Sequence, residues 1–200
     1  MANPNQIRAD HDARTIVVYQ AYAPAIATPA VAAKRFVPPF SRTRMTWIKP
    51  SLLWLMERSN WAQKPGQERV LAVRITRAGW DEALSLGVLT AYTRSAHRDP
   101  GDWQRQFEAA AVHVQWDPER TLRGARRELN AIQVGLSRHI IERYVDEWIV
   151  DIVDFTPQVR NLHALVTAGK HARAQDLLPR ERPYPLGPAV ARRLAADPSR

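Results

Sequence analysis

RMTWIKPSLLWLMERSNW, residues 44–61, changes its hydrophobic period halfway along. Met45–Ile48 reads as a short strand. From there Leu52, Leu55 and Met56 recur at i, i+3 and i+4, the stripe of a helix with one buried side. Pro50 between the two suits a first helical turn, where its missing N–H costs nothing. The helix should end near Asn60, before the loop QKPGQ. A strand that turns directly into a helix makes a corner, and Arg44, Trp47, Lys49 and Ser51 gather at it. A helix start exposes free backbone N–H groups and a partial positive charge, so the corner is an expected anion site. Lys49 would add a point charge, Ser51 a hydroxyl donor, and Trp47 or Trp54 a face for a base. The competing reading is structural: Arg44 pairs with an acid such as Asp117, and Lys49 runs its stem out to solvent. Arg58, two turns along the helix, is the cation least tied to the corner.

Working outward, TIVVYQAY (15–22) is rich in β-branched and aromatic residues and reads as a strand. Pro24 opens a small-residue helix over about 24–35, weakened by Pro29. RFVPPFSRTR is a loop. VLAVRI (70–75) is a strand, and Thr76 is the expected N-cap of a helix running to Leu86. Residues 94–102, with Asp-Pro-Gly, read as a turn or loop. Val112–Trp116 is a strand stopped by Asp117-Pro118, and 120–127 is a charged connection. AIQVGL (131–136) is a strand, after which Ser137 should cap a helix to about Glu147. WIVDIVDF (148–155) is a strand, Thr156 and Pro157 start a helix that Gly169 ends, and a short helix covers 170–178. Several connections are shorter than the dozen residues a parallel crossover needs. The expected fold is therefore α+β: one domain over 15–188 with a mixed or largely antiparallel sheet of about six strands and flanking helices. Residues 1–14 are expected to be a flexible N-terminus and 189–200 a C-terminal tail.

Composition narrows the chemistry. The 200 residues are 45% hydrophobic and 24% charged, the balance of an ordinary globular domain. No apolar run approaches the roughly 18 residues that span a bilayer, and the polar opening MANPNQIRADHDAR has no signal-peptide pattern, so a cytoplasmic protein is expected. The absence of cysteine excludes disulfides, thiol nucleophiles and cysteine-ligated metal. The net charge of +9 points to an anionic partner, a nucleotide or nucleic acid. The excess is almost all arginine, whose planar fork matches phosphate and carboxylate. No GxGxxG, GxxxxGK[ST] or GxSxG string is present, and the six histidines form no HxxxH pair. No metal site is expected.

Several polar positions stand out inside or at the ends of strands. Gln20 shares the face of Ile16 and Val18, which should be a core face. Gln133 points opposite to Ile132 and Val134. A glutamine inside a sheet must find hydrogen-bond partners or cost about 1–3 kcal/mol, so each either orients a ligand or knits a network. Asp154 lies on the face of Trp148, Val150 and Ile152 and reads as an Arg–Asp brace. QWDPER, 115–120, brings Gln115, Asp117 and Arg120 to a strand end, a common place for binding groups. An Asx turn before Pro118 is the bland alternative for Asp117.

VYQAYAPAIA (18–27), RFVPPF (35–40), RMTWIKPSLLWLMERSNW (44–61), QERVLAVRITR (67–77), VQWDPER (114–120), IQVGLS (132–137) and YVDEWIVDIVDFTP (144–157) together resemble one family, the uncharacterised domain of unknown function 4291. The likeness spans about Ile16 to Pro185 and implies a single domain of that kind. A weaker likeness, at fold level, is to ADP-ribosyltransferase domains. It implies NAD as cofactor, with Gln20, Ser51 or Trp47, and Gln133 at the catalytic positions. The sequence departs from that pattern in having no Arg or His on the first strand and no late-strand glutamate.

The expectation is a nucleotide-utilising enzyme, ADP-ribosyltransferase-like, with catalytic candidates Gln20 and Gln133. Ligand or phosphate contacts are assigned to Arg44, Trp47, Lys49, Ser51, Gln115, Asp117 and Arg120. The alternatives are a non-catalytic RNA- or DNA-binding module using the arginines of 120–127, or an interaction protein docking through its proline-rich PRERPYPLGP.

Overall fold

The structure is a computed structural model that describes residues 3–197. Along the chain run β1 (Arg8–Ala9), β2 (Thr15–Tyr22), α1 (Pro24–Ala33), β3 (Thr46–Ile48), α2 (Leu52–Ser59), β4 (Arg69–Thr76), α3 (Arg77–Leu86) and β5 (Gly87–Leu89). They are followed by α4 (Pro100–Ala109), β6 (Val112–Arg120), β7 (Arg126–Leu136) and α5 (Ile141–Arg143), which runs on as a π-helical turn over Tyr144–Trp148. The chain then forms β8 (Ile149–Asp154), α6 (Thr156–Thr167), α7 (His171–Asp176), β9 (Arg182–Pro183) and α8 (Pro188–Arg193). This is an α+β fold, and the pairing is antiparallel except between β5 and β6. Among the described residues the strands divide into three sheets, ordered β1-β9, β2-β4-β8 and β3-β7-β6-β5. No helix among them is long and apolar enough to cross a membrane.

The second strand explains why the expected single sheet divides into two larger ones beside the small β1-β9 pair. TIVVYQAY is buried on both faces. Ile16 and Val18 join the larger core with β4, α1, α3 and β6–β7, while Val17 and Tyr19 join a smaller one under α2, α6 and α7. A strand covered on both faces reads as a nearly unbroken apolar run. The two larger sheets meet where the Tyr19 N–H donates to the Lys49 carbonyl at 2.6 Å. This single bridge sets the corner of 44–61 against the end of β2 and opens the seam described below.

Local chemistry sets most boundaries. Thr76 caps α3, its Oγ1 accepting from Gly79 N at 3.1 Å, as expected. The Asp154 brace is present: Arg69 Nη1 meets Asp154 Oδ2 at 2.5 Å across β4 and β8. Four expectations need correction. Pro50 precedes the helix, because Ser51 is the N-cap and Leu52 the first helical residue. Asp117-Pro118 does not stop β6; a register shift between Pro118 and Arg120 lets the strand continue past the missing N–H. DPGD starts α4 and is no plain turn. Asp99 Oδ1 accepts from Asp102 N at 2.7 Å, and Pro100 sits in the first turn. Ser137 opens a turn, and the expected helix to Glu147 becomes a short α segment and a π turn. That wider turn carries both Tyr144 and Trp148 into buried positions.

The ends are packed as well. Ile7 and Ala9 are fully buried, as is Leu194, and Trp116 Nε1 donates to the Leu194 carbonyl at 2.9 Å. Period analysis had no means of marking these short segments, since each contributes only a residue or two.

Candidate ligand cavity at the seam of two sheets

A cavity of about 710 Å³ lies where the end of β2, the β3–α2 corner and the β6–β7 hairpin converge. Seven of the residues singled out from sequence line it: Gln20, Arg44, Trp47, Lys49, Gln115, Asp117 and Gln133. Two do not. Arg120 lines an adjoining groove, where its Nη1 meets Glu57 Oε1 at 3.4 Å. Ser51 is buried, and its Oγ accepts from Trp54 N at 3.2 Å.

The helix start is therefore not the free anion site that its position suggests. Ser51 satisfies one N–H, and the Glu181 carboxyl reaches in from the far end of the chain to accept from Leu52 N at 2.9 Å. Burial, reinforced by Glu119 and Asp10, pushes Glu181 up to about 8, although the Leu52 N–H and Arg8 pull the other way. The positive character of the cavity comes from side chains.

Arg44, Lys49 and Arg58 line the cavity, and none makes an ion pair among the described residues. Lys49 does not snorkel. It is 9% exposed, its Nζ donates to the Trp47 carbonyl at 3.0 Å, and it stands 5.7 Å from the Trp54 ring centroid. Burial, with help from the charge of Arg58, pulls Lys49 down to about 7; Asp117 works in the opposite sense. Arg58 belongs to the cavity after all, because it follows Trp54 at i+4 and so shares its side of α2. That spacing was readable in the sequence.

Strand pairing builds the polar floor. Gln115 and Gln133 are direct partners across β6 and β7. Gln115 Nε2 donates to Asp117 Oδ1 at 2.9 Å, and Gln133 Nε2 to Asp117 Oδ2 at 2.7 Å. One carboxylate thus orients two amides, and each amide oxygen is left for another donor. Asp117 is not the partner of Arg44. Trp47 faces Gly135 across β3 and β7, and a Cβ there would lie 3.0 Å from the indole ring. Glycine lets the ring lie flat on the sheet.

Gln20 is differently engaged. It is 2% exposed, and its amide is satisfied by a buried network. Tyr144 Oη donates to Gln20 Oε1 at 2.5 Å, while Gln20 Nε2 donates to Tyr22 Oη at 2.7 Å and Thr46 Oγ1 at 2.8 Å. Burial raises both phenols well above the usual tyrosine range. The network ties β2 to β3 and to the π turn, so Gln20 holds the cavity wall and has no amide hydrogen to spare. Tyr22, Thr46 and the Gly66–Gln67 loop also line the cavity. Tyr22 was detectable as the next residue on the Gln20 face; Gln67 had no local signal.

The fold and cavity define an α+β protein with a basic, amide-lined cavity at a sheet seam. The chain belongs to the family described as Domain of unknown function (DUF4291), whose model matches residues 6–184. A search of curated proteins finds no match to the chain.

Proposed function

We propose that this cavity binds a phosphorylated nucleotide and that the chain is a nucleotide-utilising enzyme. One observation carries the reading: two arginines and a buried lysine, none ion-paired among the described residues, share a cavity with two oriented amides and two indoles. Each part of a nucleotide has a counterpart. Arg44 and Arg58 suit phosphate, with the Lys49 amine beside them, the Gln115–Asp117–Gln133 floor suits the edge of a base or an amide, and Trp47 suits its face. The volume falls inside the range of roughly 300–1,000 Å³ common for small-molecule sites. NAD, which the likeness to ADP-ribosyltransferases implies, is the first dinucleotide to test. In that reading Gln133 contacts the ligand, whereas Gln20 positions the wall.

Thermal-shift and calorimetric titrations against NAD, ATP, GTP and their monophosphates test it. A ligand at a hundred times its Kd should stabilise the fold by about 2.7 kcal/mol. Gln133→Ala and Arg58→Ala should weaken binding about tenfold or more while melting like the wild type. Unchanged binding in both variants would overturn the reading.

A second reading draws on the adjoining groove, which shares Trp54, Arg58 and Asp117 with the cavity and adds Lys64, Arg120 and Arg126. This basic track would suit a single-stranded RNA or DNA, with no catalysis required. Oligonucleotide affinity should then fall steeply with salt as counterions are released; a salt-independent affinity rules it out.

A further inference from the structure

Lys49 stands apart from the other amines of the chain. The sequence has four lysines. Lys34 is exposed and pairs with Asp151 at 3.0 Å, and Lys64 and Lys170 are exposed. Lys49 alone is buried, and it is buried without a carboxylate in ion-pair distance among the described residues. An ammonium has three N–H donors, and the one polar contact here is the Trp47 carbonyl. A neutral amine fits that surrounding: it donates to Trp47 and keeps its lone pair. Desolvated lysines of this kind serve as nucleophiles toward carbonyls. The backbone is fixed at the same residue, since the Lys49 carbonyl accepts from Tyr19 N at the join of the sheets. The charged groups sharing the cavity are Arg44, Arg58 and Asp117, and the phenol of Tyr22 is close by.

We propose that Lys49 is the nucleophile of the cavity and captures a phosphorylated aldehyde, such as an open-chain sugar phosphate, as an imine, with Arg44 and Arg58 holding the phosphate. The amine nitrogen attacks the carbonyl carbon, and the C=O π pair moves to oxygen, which takes up a proton. The nitrogen loses a proton to give a carbinolamine. Its hydroxyl is then protonated and leaves as water while the nitrogen lone pair forms the C=N bond, and the resulting iminium gives up its N–H proton to leave the imine. No oxidant or reductant is consumed. Asp117 is the carboxylate in the cavity and carries the proton between these steps. The phosphate part rests on the anion-site reading above; the amine part does not.

The test uses the wild-type protein, so it does not depend on a variant folding. Pyridoxal 5′-phosphate and pyridoxal are each added between about pH 6 and pH 9, trapped with borohydride, and the label is mapped by peptide mass spectrometry. An ordinary lysine is neutral only about once in 2,500 molecules near pH 7. Labelling by the phosphorylated probe should favour Lys49 over Lys34, Lys64 and Lys170 by about tenfold or more near pH 7. It should rise with a midpoint near pH 7, set by the point to which burial pulls the amine. Lys49→Arg, which keeps a basic side chain but removes the amine nucleophile, should lose this label. Labelling spread over the exposed lysines, or unchanged total labelling in Lys49→Arg, overturns the nucleophile. Equal labelling of Lys49 by the two probes overturns the phosphate contacts and leaves the amine reactive. Nucleotide binding together with an unlabelled Lys49 overturns the imine and leaves the nucleotide reading standing.

Discussion

Glu181 shows how one side chain can close a site that the local sequence leaves open. Its carboxyl caps Leu52 N, and burial pushes it up to about 8 from an ordinary 4.5. Between those two values the folded protein keeps the proton and the unfolded chain gives it up. Stability tied to this group is therefore fully present below about pH 4.5 and is lost as pH rises through about 8. Glu181→Gln keeps the carbonyl acceptor and removes the titration. It should be more stable than wild type at pH 8 by on the order of 2 kcal/mol, with the difference shrinking toward pH 5. Urea midpoints at the two pH values check this, and a difference that stays constant with pH would count against it. Lys49 is the mirror case. Its folded value lies below its unfolded one, so its burial costs most below about pH 7 and the cost fades as pH rises toward 10.5.

Elements are held apart or together by single close contacts. In α3 the expected cap at Thr76 and the helix to Leu86 are both present, because an N-cap followed by an amphipathic stripe is a strong local signal. What fixes the helix against its neighbour is Gly79. A Cβ there would lie 2.6 Å from Cδ1 and Cδ2 of Trp148. Gly79→Ala gains helix propensity worth about 1 kcal/mol, but overpacking in a tight core costs roughly 1–3 kcal/mol. A net loss of about 1 kcal/mol or more is expected in chemical denaturation; a stabilised variant would show that Trp148 shifts freely. At α2 the same scale explains a miss. The corner 44–61 was legible as strand then helix, but the Glu181 carboxyl that shares its N-terminus with Ser51 comes from 129 residues away, and no local pattern encodes that.

At the scale of the molecule, the ends of the chain complete the larger core. β1 pairs with β9, Asp197 N donates to the Asn5 carbonyl at 2.7 Å, and Ala191, Leu194 and Ala196 are buried beside Trp80 and Leu84. Removing residues 188–200 should therefore destabilise the protein by about 3 kcal/mol or more, since losing one buried Leu side chain alone costs about 2–5 kcal/mol. A truncated chain with an unchanged melting temperature would show that this helix is dispensable. The cavity is also a property of the whole: residues from β2, β3, α2, β6 and β7 meet where the two larger sheets touch at Tyr19 and Lys49 and where Gln20 and Tyr22 bond Thr46.

Strands β2, β4 and β8, the Thr76 cap, the helices begun at Pro24 and Pro157 and the α+β class follow from local patterns. Period, caps and proline chemistry act over a few residues and leave their mark in the string. Seven cavity residues could be named because polar groups inside apolar strands and corners are unusual enough to notice. Their environments could not be read in the same way. Gln20 is locked into a network with Tyr144, Lys49 is buried, and Asp117 aligns two amides where an ion pair with Arg44 was the structural alternative. Burial and hydrogen-bond pairing depend on which distant strands become neighbours. Sequence alone determined which residues could line the cavity, and tertiary contact decided which of them are unpaired among the described residues, which are buried and which are already engaged.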